Sequence, residues 1–348
     1  MKYISLFSGI GGFELAIQNM LPDAECIGFS EVDKFAIQVY THHFPTHTNM
    51  GDIITVTEQD IKTLVEKHGG CDLLVGGFPC QNLSRISCCF ENTNSDGLEG
   101  PKSSLFYNML EIIDWIHTHN PVNKTLHLIA ENNNSMSNSN KELITEHLKT
   151  QFQIPIFRTM INGADFGVQT RRRLYWTTFN IDTSRAECSQ TWDDVLDPMD
   201  YDTLDNVGDK QIINSGNKLF VSPKSKSYRQ VEKVNKRLWK FTTKSIAGFE
   251  SNWERFRCSS TSNPKSATVR KCRNIDTCIL DYRYCNNNEN EFVIRYMSSV
   301  ELEKLFFIPV GWTSQLCSKS RCAILLGNTV VTKVIESILL NFILEGYE

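Results

Sequence analysis

Short apolar, β-prone runs that stop at a glycine or an acid, each followed by apolar residues at helical spacing, recur from residue 2 to about residue 176. Lys2-Tyr3-Ile4-Ser5-Leu6-Phe7 is broken by Ser8-Gly9-Ile10-Gly11-Gly12, and Phe13 to Met20 then carries a helical pattern. Cys26 to Glu31 predicts a second strand, followed by a helix through His43 and a short third strand closed by Gly51-Asp52-Ile53. Cys71 to Gly77 predicts a buried fourth strand, and Thr125 to Ala130 a fifth that ends in Glu131-Asn132. Between them Leu105, Met109, Ile112, Ile113 and Ile116 make one helix face. A helix over Lys141 to Gln153, a strand over Ile154 to Asn162 and a strand at Leu174-Tyr175-Trp176 complete the series. Alternation of this kind leaves few architectures open other than a sheet wound by helices on both faces. The expected fold class is therefore α/β, a doubly wound, mostly parallel, Rossmann-like sheet with a smaller second domain.

In such a sheet, ligands and chemistry collect at the carboxyl ends of the strands. The glycine turn at residues 8–12 lets the backbone approach a nucleotide closely, though alone it is equally a tight turn. Glu31 follows about 20 residues later, where such sheets present a carboxylate to ribose hydroxyls; an acid opening the helix near Asp33 fits the same spacing. Asp52 can accept from an adenine amino group or serve as a turn residue. Cys80 stands directly after Pro79, where the fourth strand ends, and Glu131 is expected to face the same crevice. Residues 85–100 form a polar, irregular stretch long enough for a flap over that edge.

At 348 residues, 41% hydrophobic and 22% charged, the chain can fill a full core and two domains. Apolar stretches of about eighteen residues are missing, and the first strand begins at residue 2 without a leader, so neither secretion nor a membrane is expected. Twelve cysteines with no regular framework read as reduced thiols of an intracellular compartment, cytoplasm or nucleus. Cys258, Cys272, Cys278 and Cys285 lack the paired knuckles of structural zinc sites, and no metal is expected. Charge is strongly segregated. From Asp182 to Asp209 nine acids face one base, whereas Lys218 to Arg273 holds fifteen Lys or Arg against three acids. With Tyr228, Trp239, Phe241, Trp253 and Phe256 interleaved, that basic block is the footprint of a nucleic-acid surface, or of a solvated insert. Arg229, Lys233, Lys236, Arg237, Lys240, Arg270, Lys271 and Arg273 are its candidate contacts.

Pro79-Cys80-Gln81, then Glu131-Asn132, then Gln169-Thr170-Arg171-Arg172-Arg173 resemble, in that order, the motifs of the cytosine-5 DNA methyltransferases. The likeness runs from Phe7 to about Phe342. It implies an S-adenosylmethionine site at Phe7, Ser8, Gly9, Ile10, Gly11 and Gly12 with Glu31, Val32, Asp52, Ile53, Pro79, Asn328 and Thr329. S-adenosylhomocysteine would be the product. It makes Cys80 the nucleophile and Glu131 the acid on ring nitrogen 3. Arg171 and Arg173 would contact the base carbonyl and keep Cys80 anionic. The implied partner is double-stranded DNA with the target cytosine flipped out, contacted also by Gln81, Ser84 and Gln169. The expected domains are a catalytic one over 1–180, a basic target-recognition one over 181–290, and C-terminal helices over 291–348 returning to the first, in a monomer.

Two departures stand out. Asn133 occupies a position that is usually hydrophobic in the family, and Ser299 to Pro309, with Gly97-Leu98-Glu99-Gly100, is similar to the animal de novo subgroup. Three rival readings are a transfer-RNA cytosine methyltransferase, a catalytically inactive nucleic-acid-binding relative and a nicotinamide-dependent oxidoreductase. The first lacks its Cys-Phe-Thr motif here, the second has only Asn133 in its favour, and the third leaves Cys80 and the arginines unexplained.

Overall fold

The computed structural model describes residues 1–79, 105–169, 171–195 and 298–346, together with the backbone of four short strands between 212 and 296. Cys80, Gln81, Ser84, the residue 85–100 stretch, Cys258, Cys272 and Cys285, and the candidate contacts from Arg229 to Arg273 lie outside the described residues, and of Cys278 only the backbone is described. The chain forms two compact units. The first comprises Met1–Asn162, Arg172–Ala186 and Val330–Glu348; the second comprises Gly163–Arg171 and Glu187–Thr329. This differs from the expected division, because residues 298–329 group with the second unit and only Val330 onward returns to the first.

In the first unit, strands β1 (Lys2–Leu6), β2 (Glu25–Ser30), β3 (Leu73–Gly77), β4 (His127–Asn133), β5 (Phe157–Asn162) and β6 (Arg172–Thr177) form one sheet. Their order is β2-β1-β3-β4-β6-β5. Neighbours among β1 to β4 run parallel, and β6 is antiparallel to both β4 and β5. The mostly parallel doubly wound sheet expected from the sequence is therefore present. The predicted third strand is not: Phe29 and Asn49 make a single parallel bridge, and Ile53–Thr55 is a 3-10 turn capped by the Asp52 side chain. Strand β4 also runs past Ala130, so Glu131 is a strand residue paired with Gly77 on one side and Tyr175 on the other.

Helices cover the sheet where the apolar spacing predicts them. Helix α4 (Leu105–His119) buries Phe106, Met109, Ile112, Ile113 and Ile116 in the same core cluster as Ile4, Leu6, Leu74 and Leu128. Each such side chain contributes about 1.5–3 kcal/mol relative to exposure. Local chemistry sets the ends. Helix α1 (Gly12–Met20) starts behind Gly11, whose φ of 85° only glycine adopts freely. Asp33 caps helix α2 (Lys34–His43) by accepting from the N–H groups of Phe35 and Ala36. A Thr57/Asp60 capping box opens helix α3 (Glu58–His68), and Gly69 at φ 74° closes it. The C-terminal helix Thr332–Leu344 packs against α1, where Asn19 Nδ2 donates to Glu336 Oε1 at 2.7 Å.

Among the described residues of the second unit, a buried acid ties one turn together. Glu303, on the helix Ser299–Leu305, accepts from the backbone N–H groups of Gly311, Thr313 and Ser314 at 2.6–2.8 Å and from both hydroxyls. Its carboxylate replaces water for a whole turn that would otherwise be left unpaired.

A second buried acid, Glu14, lies in the first turn of α1 with no solvent exposure. Tyr40 donates its hydroxyl to Glu14 Oε1 at 3.1 Å and also meets His47 Nδ1 at 3.0 Å, while Phe29 stacks on the Tyr40 ring at 3.8 Å. Burial pushes the Glu14 carboxyl up to about 7. The folded protein therefore holds this proton between pH 4.5 and about 7 while the unfolded chain does not. The stability it contributes is present at low pH and lost as pH rises through that window. Glu14→Gln cannot titrate, so its thermal midpoint should gain on that of the wild type as pH goes from 5 to 8. A difference that stays constant across that range would show that Glu14 is ionised in the fold throughout.

Candidate active site

Parallel pairing puts the carboxyl ends of β1 to β4 on one edge, and the site residues of the first unit follow from that register. Leu6 lies opposite Ser30 on one side and Gly76 on the other. The glycine turn, Glu31 and the segment leading to Cys80 thus leave the sheet side by side. Gly76 has a packing reason as well, since a Cβ there would sit 2.8 Å from the Leu6 carbonyl oxygen.

The turn after β1 is left-handed at Phe7 (φ 55°), Gly9 (φ 57°) and Gly11 (φ 85°). A Cβ on Gly11 would also meet the Phe44 ring at 2.6 Å, so two separate constraints require glycine there. Ser8 and Ile10 are buried, with Ser8 Oγ donating to the Ser5 carbonyl at 3.1 Å, so these two positions offer backbone rather than side chain to a ligand. Glu31 is not the cap of α2, a role taken by Asp33; its carboxylate accepts from Gly9, Val32 and Asp33 N–H groups.

Two large apolar side chains stay exposed next to carboxylates, Val32 at 63% beside Glu31 and Ile54 at 61% two residues after Asp52. Solvating them is unfavourable, and a flat apolar ring bearing polar edges would relieve that. Left-handed glycines, a ribose-height acid and exposed apolar neighbours together fit a nucleoside cofactor. Ile53 is a correction: it is only 4% exposed and belongs to the core, and the exposed apolar position is Ile54.

On the neighbouring strands, Glu131 Oε1 is 2.8 Å from Arg173 Nε, both side chains being largely buried. Arg173 pairs with Asn133 in the ladder, so it reaches Glu131 diagonally on the same face. Across β3, a Cβ on Gly77 would stand 3.0 Å from Glu131 Oε2; glycine at 77 leaves room for the carboxylate three residues before Cys80. Asn132, 1% exposed, donates Nδ2 to the Phe78 carbonyl at 3.1 Å and so ties the end of β4 to the segment carrying Pro79 and Cys80. The unusual Asn133 also has a local task, because its Oδ1 accepts from Ser135 N–H at 3.0 Å and turns the chain out of β4.

The second unit holds the remaining expected residues. Arg171 is 5% exposed; its Nη2 donates to the carbonyls of Gly327 at 3.0 Å and Thr329 at 2.7 Å, and its guanidinium lies 5.1 Å from the Phe306 ring centre. Its Nη2 thus serves buried backbone. Gln169 is 1% exposed. Asn328 is exposed, whereas Thr329 is buried with its carbonyl held by Arg171. Of the residues missed in the sequence, Asn132 was signalled only as the partner of Glu131 in a pair, and Ile54 only as an apolar residue in a polar stretch.

The family model for C-5 cytosine-specific DNA methylases matches residues 1–343. An orphan methyltransferase of Bacillus phage rho11s, M.Rho11sI, is 33% identical over 181 residues, covering 50% of this chain and 32% of that protein. The DNA (cytosine-5)-methyltransferase DRM1A of Oryza sativa subsp. japonica is 33% identical over 123 residues, 34% of this chain and 25% of the relative. The chain thus matches a third or less of the length of these two relatives. Among solved structures, the Entamoeba histolytica methyltransferase EhMeth aligns with a TM-score of 0.64 at 16% identity, covering 99% of this chain and 98% of that one. The S. pombe Dnmt2 methyltransferase aligns at 0.59 and 14% identity, with 99% of both chains covered. These two likenesses speak for the fold.

Asn132→Asp replaces the N–H that meets the Phe78 carbonyl with a carboxylate oxygen. We expect a loss of about 1–3 kcal/mol in urea unfolding. Unchanged stability would mean that this hydrogen bond does not hold the turn.

Proposed function

The chain belongs to the C-5 cytosine-specific DNA methylase family, and on that basis we propose that it transfers a methyl group to carbon 5 of a cytosine flipped out of duplex DNA. The observation that carries the reading is the Glu131–Arg173 pair at 2.8 Å, set against Gly77 on the strand that runs into Pro79-Cys80.

Carbon 5 of cytosine is a weak nucleophile until a group adds at carbon 6, and a thiolate is the best such group among side chains. On this proposal Cys80 adds to carbon 6, and Glu131 holds ring nitrogen 3 and the exocyclic amino group, supplying the proton that stabilises the adduct. Arg173 holds the Glu131 carboxyl and is the arginine placed beside it, whereas Arg171 Nη2 serves the Gly327 and Thr329 carbonyls. Carbon 5, made nucleophilic by the addition, takes up the methyl group; loss of the carbon 5 proton then expels Cys80 as thiolate, and nitrogen 3 returns its proton to Glu131. Methyltransferases of this family use S-adenosylmethionine, which supplies the methyl group as an electrophile on a sulfonium sulfur. The turn at Phe7–Gly12 would hold its backbone-facing part, Glu31 its ribose and Asp52 with Val32 and Ile54 its adenine. The basic block from Lys218 to Arg273 would neutralise phosphates.

Transfer of labelled methyl from S-adenosylmethionine to unmethylated duplex DNA, with transfer RNA in parallel, tests the proposal. Label on DNA cytosine that disappears in Cys80→Ser is the expected result; label on RNA alone would reassign the substrate, and none on either would remove the activity.

The two arginines should separate in the same assay. Arg173→Met is expected to lower turnover by about 10²-fold or more with a near-normal unfolding midpoint. Arg171→Met, which strands two buried carbonyls, should cost about 1.5–3 kcal/mol of stability. Equal behaviour of the two variants would refute this division of labour.

A further inference from the structure

Glu31 is already heavily engaged before any ligand arrives. Its Oε2 accepts from Gly9 N–H at 2.8 Å, and its Oε1 from Val32 N–H at 2.8 Å and Asp33 N–H at 2.9 Å. Its own carbonyl receives Asn49 Nδ2 at 3.3 Å, and the preceding Ser30 carbonyl receives Ser8 N–H at 3.2 Å. The end of β2 is therefore fastened to the glycine turn after β1 at two successive residues, once through backbone and once through the Glu31 carboxylate.

A carboxylate offers about four lone-pair positions, and three are in use. A ribose cis-diol presents two hydroxyls, so one position remains for two donors. The group held by the carboxylate is also the one least able to hold itself. Phe7, Gly9 and Gly11 all have positive φ within five residues, and such backbone is adopted with ease only by glycine. A turn of that composition would sample many conformations if released, and ordering it at the moment of binding would subtract from ligand affinity.

We propose that Glu31 is a positioning residue whose main contribution to cofactor affinity is to pre-form the glycine turn through Gly9, with acceptance of one ribose hydroxyl as a second, smaller part. The proposal rests on the reading that this turn holds S-adenosylmethionine. It separates two effects that removal of the acid would otherwise merge, the loss of a direct contact and the loss of a prepared turn.

The experiment is a cycle of protein variant against ligand, with an independent measurement on the free protein. Wild type, Glu31→Ala and Glu31→Gln of the full chain are compared for amide hydrogen exchange at Gly9 and its neighbours without ligand. Binding of S-adenosylhomocysteine and of its 2′,3′-dideoxy analogue is then measured by calorimetry. Glu31→Gln serves where Glu31→Ala does not fold, because an amide oxygen keeps part of the contact while its NH2 faces one N–H donor.

The expected result is exchange at Gly9 about tenfold faster in the variant, and dideoxy-analogue binding about tenfold weaker than to wild type. Equal binding of the dideoxy analogue to wild type and variant, or unchanged exchange at Gly9, would overturn the proposal and leave Glu31 as a diol acceptor only. Failure of wild type to bind either ligand would overturn the cofactor reading instead, and the exchange result would still decide whether the carboxylate orders the turn.

Discussion

The parallel register of β1 between β2 and β3 is the constraint from which the rest of the first unit follows. Parallel neighbours place their carboxyl ends on one edge, and Leu6 sits across from both Ser30 and Gly76. One residue of slip would turn every side chain of a strand to the opposite face. Ile4 and Leu6 would then leave the core, and the turn after β1 would lose its alignment with the end of β2. The core cluster and the placement of the site are thus held by the same pairing, and burial of apolar residues enforces both.

Buried polar groups do a different kind of work. Glu303 in the second unit is satisfied by three backbone N–H groups and two hydroxyls, so burial does not leave it as an isolated charge. Glu14 accepts from the Tyr40 hydroxyl, which favours the ionised form, but burial outweighs it and raises the carboxyl pKa.

Arg171 and Arg173 show how two similar residues two apart receive different tasks. Both belong to a run of three arginines, and nothing in that run distinguishes them. Strand β6 begins only at Arg172, so simple alternation does not extend back to Arg171. Arg173 becomes the cross-strand neighbour of Glu131, while Arg171 turns onto the carbonyls at the end of the helix Lys319–Asn328. Asn133 is the reverse case. Its departure from the usual residue type casts doubt on the neighbouring acid when read alone, yet in the structure it closes the strand by a local turn.

From the chain itself came the alternation of strands and helices, the glycine turn, and the order of Cys80, Glu131 and the arginine triplet. These are properties of residues close together in sequence, where spacing and the conformational freedom of glycine suffice. Tertiary structure alone decided that Gly51–Ile53 is a turn rather than a strand, that Ile53 is core and Ile54 exposed, and that β4 extends to carry Glu131 opposite Gly77. It also decided which arginine meets the acid. Each of those depends on what a residue packs against from another part of the chain, and side-chain partners 40 or more residues away leave no local signature in spacing.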